Sequence, residues 1–296
     1  MDFRKAFVVP PGGKFKLADI DPAYEGSHES HASAAAEIER HVASLAQLQY
    51  KLYAEGKRSL LVVLQGLDAA GKDGVISHVV RGTNPQGVKV ACFKQPTHEE
   101  LAHDFLWRAH RQTPARGEIA IFNRSHYEDV LVARVHDLVP KSVWSKRYGR
   151  IREFEKLVRS AGTHVVKLYL HISPQEQLAR FKERLDDPHR NWKISMSDYT
   201  EREYWPAYTE AFEDAIRATA AKHAPWYVIP SNQKWFRNLA ISSILVDTLE
   251  QMDLRIPKPS VDLKVIRLRY HSAKREQKEG ERPGGSKTRR KRRSKH

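Results

Sequence analysis

Cysteine is almost absent from this chain of 296 residues. Cys92 stands alone, so no intramolecular disulfide can form, and its place in the apolar run VKVACF predicts a buried structural thiol. A reducing, cytoplasmic compartment is the expectation that follows. Long apolar runs are missing too. Nowhere do 18 apolar residues follow one another, so no membrane-spanning helix is expected, and the stretch MDFRKAFVVPPGGKFKLADID lacks the charged-then-apolar order of a signal peptide. The 15 histidines form no Cys/His set at zinc spacing. No Ser/His/Asp or thiol arrangement appears either, which sets aside nucleophilic hydrolase chemistry and leaves His126, at a helix start, as a structural residue.

Acidic charge is in deficit, with 51 Lys and Arg against 36 Asp and Glu, a net charge of +15. The excess is unevenly placed. From Lys264 onward there are 14 Lys and Arg against Glu276, Glu279 and Glu281, a net +11, leaving +4 for residues 1–263. Residues 258–296, ending RPGGSKTRRKRRSKH, carry almost no apolar residue after Tyr270 and are expected to be a disordered basic tail. Such a tail attracts polyanions, including nucleic acid, or is a solvated appendage with no partner.

What the chain does have is concentrated in RSLLVVLQGLDAAGKDG, residues 58–74. Leu60 to Gln65 is a continuous apolar, β-branched run, as in a strand buried on both faces of a parallel sheet. Gly66, Gly71 and Lys72 then give the spacing GxxxxGK, and a helix follows over Val75 to Val80. Backbone amides of Gly66, Ala69, Ala70, Gly71, Asp73 and Gly74 can turn inward around a phosphate, with Lys72 reaching its outer oxygens. Position 73 departs from the usual Ser or Thr. Asp68 and Asp73 beside a phosphate cradle repel it unless a hard divalent cation lies between, although Asp73 also suits the helix dipole and Asp68 suits a turn.

Residues 1–30 read as an extended lead-in and residues 31–257 as one domain. Within it helices are predicted from Ser33 to Glu55, from Thr97 through HDFLWRAHRQ to Pro114, from Tyr127 to Asp137, from Lys141 to Ala161, over QEQLARFKERL, from Tyr199 to Ala221 and from Lys234 to Met252. Strands are predicted at Val88–Phe93, Glu118–Phe122, His164–Ile172 and Trp226–Ile229. This alternation predicts an α/β fold, a parallel sheet covered on both faces.

Two further stretches bring chemistry to the carboxyl edge of that sheet. The first, EIAIFNRSHYEDVLVARVH, ends a buried strand in Asn123 and Arg124 where nucleotide-binding folds of this kind usually place a metal-directed Asp. Glu128 is then the candidate for the missing carboxylate, or a helix-start acid. Lys94, Arg124 and Arg134 converge there as a phosphate clamp. In the second, ARFKERLDDPHRNWKIS, Arg180 and Arg184 share a helix face, a like-charge pair that an anion would relieve, while Glu176 offers Arg180 an ordinary ion pair. The aperiodic basic segment that follows, with Arg190 and Lys193, predicts a mobile lid over about residues 178–198.

Taken together, GLDAAGKDG at 66–74, FKQP at 93–96, FNRSHYEDV at 122–130 and Arg180, Arg184, Trp192 and Lys193 resemble the second family of polyphosphate kinases, over about residues 10–257. The resemblance implies a P-loop kinase fold, a three-layer αβα sandwich, and Mg²⁺-dependent phosphoryl transfer between inorganic polyphosphate and adenine nucleotides, with Mn²⁺ able to replace Mg²⁺. It implies that Asp68 and Glu128 serve the metal, that Lys72 and the loop amides hold phosphate, and that Arg124 and the lid arginines Arg180 and Arg184 neutralise charge on the transferring group. Asp73 is a further metal candidate beside them, and Asn123 can order metal-bound water. NRSHYED resembles the subgroup that takes AMP through ADP to ATP. A homo-oligomer is implied as well. An ATP-dependent nucleotide kinase would share the loop and lid, and a polyanion-binding protein would share the tail.

Overall fold

The computed structural model of the chain describes residues 1–27 and 30–280. It divides into Met1–Ile256 and a second unit beginning at Pro257. The first is built on a sheet of five parallel strands: β1 (Ser59–Gln65), β2 (Val88–Cys92), β3 (Ile119–Asn123), β4 (Thr163–His171) and β5 (Trp226–Pro230), in the spatial order β2-β3-β1-β4-β5. Every residue of β1 is buried because both faces of the sheet are covered. The pleat sends Leu60, Val62 and Leu64 into one core and Leu61 and Val63 into the other.

The first core is closed by α1 (His31–Glu55) and α7 (Lys234–Glu250), and the helix α2 (Lys72–Val79) joins the same layer. The second is closed by α3 (Lys141–Ser160) and α6 (Trp205–Thr219). Between them in the chain lie α4 (Pro174–Asp186) and α5 (Met196–Glu203). The result is the expected three-layer αβα sandwich. All strands run the same way, so Gln65, Cys92, Asn123, His171 and Pro230 end at one edge.

Buried within the second layer is a charged pair. Lys167 of β4 is fully inaccessible, and its ammonium donates to Glu155 Oε2 at 2.7 Å, Thr219 O at 2.8 Å and the Tyr127 hydroxyl at 3.1 Å. Those three bonds use every donor the group has. Tyr127 in turn donates to Glu155 at 2.7 Å, which fixes the turn that follows β3.

Several local expectations are corrected. The cap at Thr97 forms reciprocally with Glu100, but the helix is one turn, His98–Leu101, because Asp104 captures the Leu106 N–H and starts a second turn at Trp107–His110. The predicted helix from Tyr127 is a 3-10 turn, His126–Asp129, and a single α turn, Val132–Val135, closed where Asp137 turns left-handed. The predicted loop 186–198 contains a 3-10 turn, Asn191–Lys193, and ends in α5, whose start is fixed by the Ser195 N–H donating to Asp198. The lead-in is not merely extended: the helix Phe3–Phe7 buries Phe3 and Phe7, and Val8 bridges to Tyr227. Cys92 is exposed, since β2 lies at the sheet edge. In the second unit α8 (Leu263–Gly280) is helical where disorder was expected. Its Lys, Arg, Glu and Gln favour helix without burial, and Asp262 accepts from the Lys264 N–H. Residues 281–296 lie outside the described residues. No helix among the described residues is long and apolar enough to cross a membrane.

Candidate active site

The loop Gly66–Gly74 leaves the end of β1 and enters α2 at Lys72. Gly71 takes φ 100°, a left-handed conformation costly to any residue with a side chain. Ala69 is also left-handed, at φ 61°, and such alternation makes a concave nest of N–H groups. Lys72 folds back beneath the nest. Its ammonium donates to Gly66 O at 2.7 Å and Leu67 O at 3.3 Å, and the residue is 9% exposed. Burial and the nearby Arg124 push its pKa down to about 8, with Asp68, Glu128 and Asp73 pulling the other way. Backbone carbonyls are weak partners for such a charge, and a phosphoryl oxygen is a stronger one.

Arg124 stands at the centre. It follows β3 in a left-handed conformation, φ 60°, a strain of order 1–3 kcal/mol that its surroundings hold in place. Its N–H donates to Leu64 O at 3.0 Å, Nη2 donates to Asp68 Oδ1 at 2.7 Å, and Nη1 lies 3.7 Å from Glu128 Oε2. Burial would raise the pKa of Asp68, but Lys72, Arg124 and Arg184 hold it below the usual carboxylate range. For Glu128 burial wins, and its pKa is raised despite Arg124 and Lys72. Asn123 donates to Asp73 Oδ1 at 2.9 Å, tying β3 to α2, and Lys193 lies 3.6 Å from the other oxygen of Asp73.

These oxygens suit a hard cation in part. Asp68 and Glu128 meet on one guanidinium, and Gln65 Oε1 close by is buried without a partner. Among the described residues, however, no three His, Cys, Asp or Glu side chains form one metal-holding group, so Asp73 does not join the other two. A divalent ion held by Asp68 and Glu128 would complete its sphere with water and phosphate, as Mg²⁺ does elsewhere.

Around the loop opens a cleft of about 830 Å³ lined by nine cationic side chains, Lys72, Lys94, Arg124, Arg180, Arg184, Arg190, Lys193, Lys234 and Arg237, against Asp68, Asp73 and Glu183. A smaller hollow of about 250 Å³, lined by His136, Gln177, Glu201, Trp205 and Tyr208, lies beside it, and Asp68 and Arg124 line both. Arg184 reaches the cleft from α4, loosely held by Lys193 O at 3.3 Å. Exposed Lys94 lines the same wall.

Two expected phosphate ligands are corrected. Arg180 is 5% exposed and spends all five donors on the protein: Glu176 at 2.7 Å, Ala69 O and Ala70 O at 2.7 and 3.1 Å, Ser231 O and Asn232 O at 2.5 and 2.9 Å. It is a strut behind the loop. Arg134 points away from the cleft, donating to Asp214 and Glu210 at 2.7 Å each and stacking 4.5 Å over Trp144. Three residues the sequence reading missed are Lys234 and Arg237 at the start of α7 and Gln177, which donates to Asp68 O at 2.9 Å. A weak signal existed for the first two, since KWFRN directly follows a strand ending at the same sheet edge.

Comparison with known proteins agrees with this geometry. The family model for polyphosphate kinase 2 matches residues 28–257. An AMP/ADP-polyphosphate phosphotransferase of Meiothermus ruber is 51% identical over 259 residues, 86% of this chain and 96% of that one. An ADP-polyphosphate phosphotransferase of Rhodopseudomonas palustris is 42% identical over 270 residues, 86% of this chain and 92% of that one. The crystal structure of polyphosphate kinase 2 from Arthrobacter aurescens TC1 superposes with a TM-score of 0.89 at 40% identity, covering 92% of this chain and 97% of that one.

Proposed function

The chain belongs to the polyphosphate kinase 2 family, and from that premise we propose that it transfers the terminal phosphoryl group of inorganic polyphosphate to AMP and then to ADP, yielding ATP. The observation that carries this reading is the cationic cleft meeting a smaller hollow at Asp68 and Arg124. A long polyanion lies along the cleft, a nucleotide enters from the hollow, and the reacting phosphates meet at Arg124.

The loop amides and Lys72 hold the donor phosphates, while Arg124, Arg184 and Lys193 balance charge on the transferring group. Asn123 keeps Asp73 and the start of α2 in register. Asp68 and Glu128 would hold Mg²⁺, which neutralises phosphate charge when bound. One P–O bond of the polymer breaks and one forms to a nucleotide phosphate oxygen, releasing the shortened chain. That oxygen is largely ionised at neutral pH, since its second pKa is about 6, so no general base is needed.

The test follows AMP, ADP and ATP over time with Mg²⁺ and polyphosphate. AMP converted to ADP and then ATP is the expected course. Use of ADP alone would refute the two-step assignment, and reaction only with ATP as donor would refute the polymer. The basic tail is assigned a retaining role for long polyphosphate in the cytoplasm. Deleting residues after 263 should then raise KM for long polyphosphate without changing kcat.

A further inference from the structure

Arg237 lies in the first turn of α7 and is 3% exposed. Its Nη1 donates to Ala70 O at 3.3 Å, and Nε and Nη2 donate to Asn238 Oδ1 at 3.1 and 2.9 Å. These bonds use three of its five N–H donors. The guanidinium fills the space beside the loop that side chains would otherwise take: a Cβ on Gly71 would overlap Nη1, and one on Gly74 would stand 3.2 Å from Nη2. Glycine at both positions therefore makes room for this group as well as for phosphate.

Charge is what sets Arg237 apart. Arg180 beside it is balanced by Glu176 at 2.7 Å. Among the described residues no carboxylate forms an ion pair with Arg237, and the charged neighbour it feels most is Arg180, another cation. Together with burial this pushes its pKa down to about 9, so it stays charged at neutral pH at a cost. The same side chain lines the cationic cleft.

We propose that Arg237 is a positioning residue of the phosphate loop, whose buried charge is neutralised only when a phosphoryl chain sits against Gly71 and Gly74. Occupancy of the loop and stability of the fold are coupled through it. This rests on reading the loop as a phosphate cradle.

The test compares wild type, Arg237→Met and Arg237→Lys by thermal melting, alone and with tripolyphosphate or ATP as separate probes. Without ligand, Arg237→Met should melt at or above the wild-type temperature, because an uncompensated charge has gone. Its ligand-induced rise should shrink by half or more relative to wild type. In turnover its KM for polyphosphate should rise about tenfold with kcat changed far less, and Arg237→Lys should recover part of both losses. Arg237→Met melting lower alone while keeping the full ligand-induced rise would show a structural strut and overturn the inference. Should Arg237→Met not fold, Arg237→Lys decides: an undiminished ligand-induced rise and an unchanged KM overturn it. A wild type stabilised by neither probe would overturn the cradle itself, and with it this inference. Stabilisation by ATP alone would overturn only the polymer as donor.

Discussion

Replacing Lys72 with Met should raise stability and remove activity together. Lys72 is 9% exposed in the free protein, and burial together with Arg124 lowers its pKa from 10.5 to about 8, which corresponds to about 3 kcal/mol spent keeping it charged at pH 7. Met fills similar volume without the charge. Gly66 O and Leu67 O lose their partner, which returns about 1 kcal/mol each, since both residues line the smaller hollow where water can replace the ammonium. A net gain of about 1–3 kcal/mol remains. Its pH dependence fixes the cause. Below about pH 8 the lysine is protonated folded or unfolded, and the cost is fully present. Between about 8 and 10.5 the folded chain gives up a proton that the unfolded chain retains, so wild-type stability rises relative to the variant and the difference closes. Guanidinium unfolding at pH 7, 9 and 10.5 without ligand measures this. Turnover should fall about 10³-fold or more, the loss typical of removing a cation from a transferring phosphoryl group. A variant less stable than wild type at pH 7, or an advantage unchanged at pH 10.5, would refute the reasoning. So would retained activity.

For the wild type, kcat/KM for polyphosphate should decline as pH passes about 8, because the free protein then loses the Lys72 proton; a flat profile to pH 9.5 would show the charge is not used. Lys167→Met should cost about 3–5 kcal/mol by leaving Glu155 buried and unpaired, and Glu155→Leu with Lys167→Met should recover most of it in urea unfolding. Gly71→Ala should abolish polyphosphate-dependent turnover, since the left-handed backbone and the overlap with Arg237 both oppose a methyl group; activity within threefold of wild type would contradict this. Arg134→Gln should leave kcat within about twofold, because its partners are Glu210 and Asp214 rather than substrate; a loss of 100-fold would return it to the clamp.

What the sequence could reveal was set by how local the deciding interaction is. The turn GLDAAGKDG declares itself because glycines, lysine and the flanking strand lie within a few residues. The strands declare themselves because burial on both faces leaves an unbroken apolar run. Arg134 was expected at the cleft and Arg237 was missed for one reason. The partners of Arg134 lie 76 and 80 residues away, and the carbonyl that receives Arg237 lies 167 residues away. Arg180 was half legible: its pairing with Glu176 is one helical turn, but the four carbonyls that saturate it come from two distant loops. The apolar run around Cys92 suggested burial, and only the strand order shows that β2 has a single neighbour. In α8 the scarcity of apolar residues after Tyr270 suggests disorder, whereas Leu263–Gly280 is helical.

The strand order also governs when the cradle can exist during synthesis. β1 pairs only with strands made later, β3 and β4, and Arg180 and Arg237 brace the loop from still further along the chain. From Gln65 to Arg237 a ribosome needs roughly 10–35 seconds at the usual rate of elongation. β3 and β4 arrive within that interval and can back the glycine turn, but until its end the turn lacks the Arg237 guanidinium beside Gly71 and Gly74. Val8 waits longer still for Tyr227. The loop is fully braced only after the last strand of the sheet has been made.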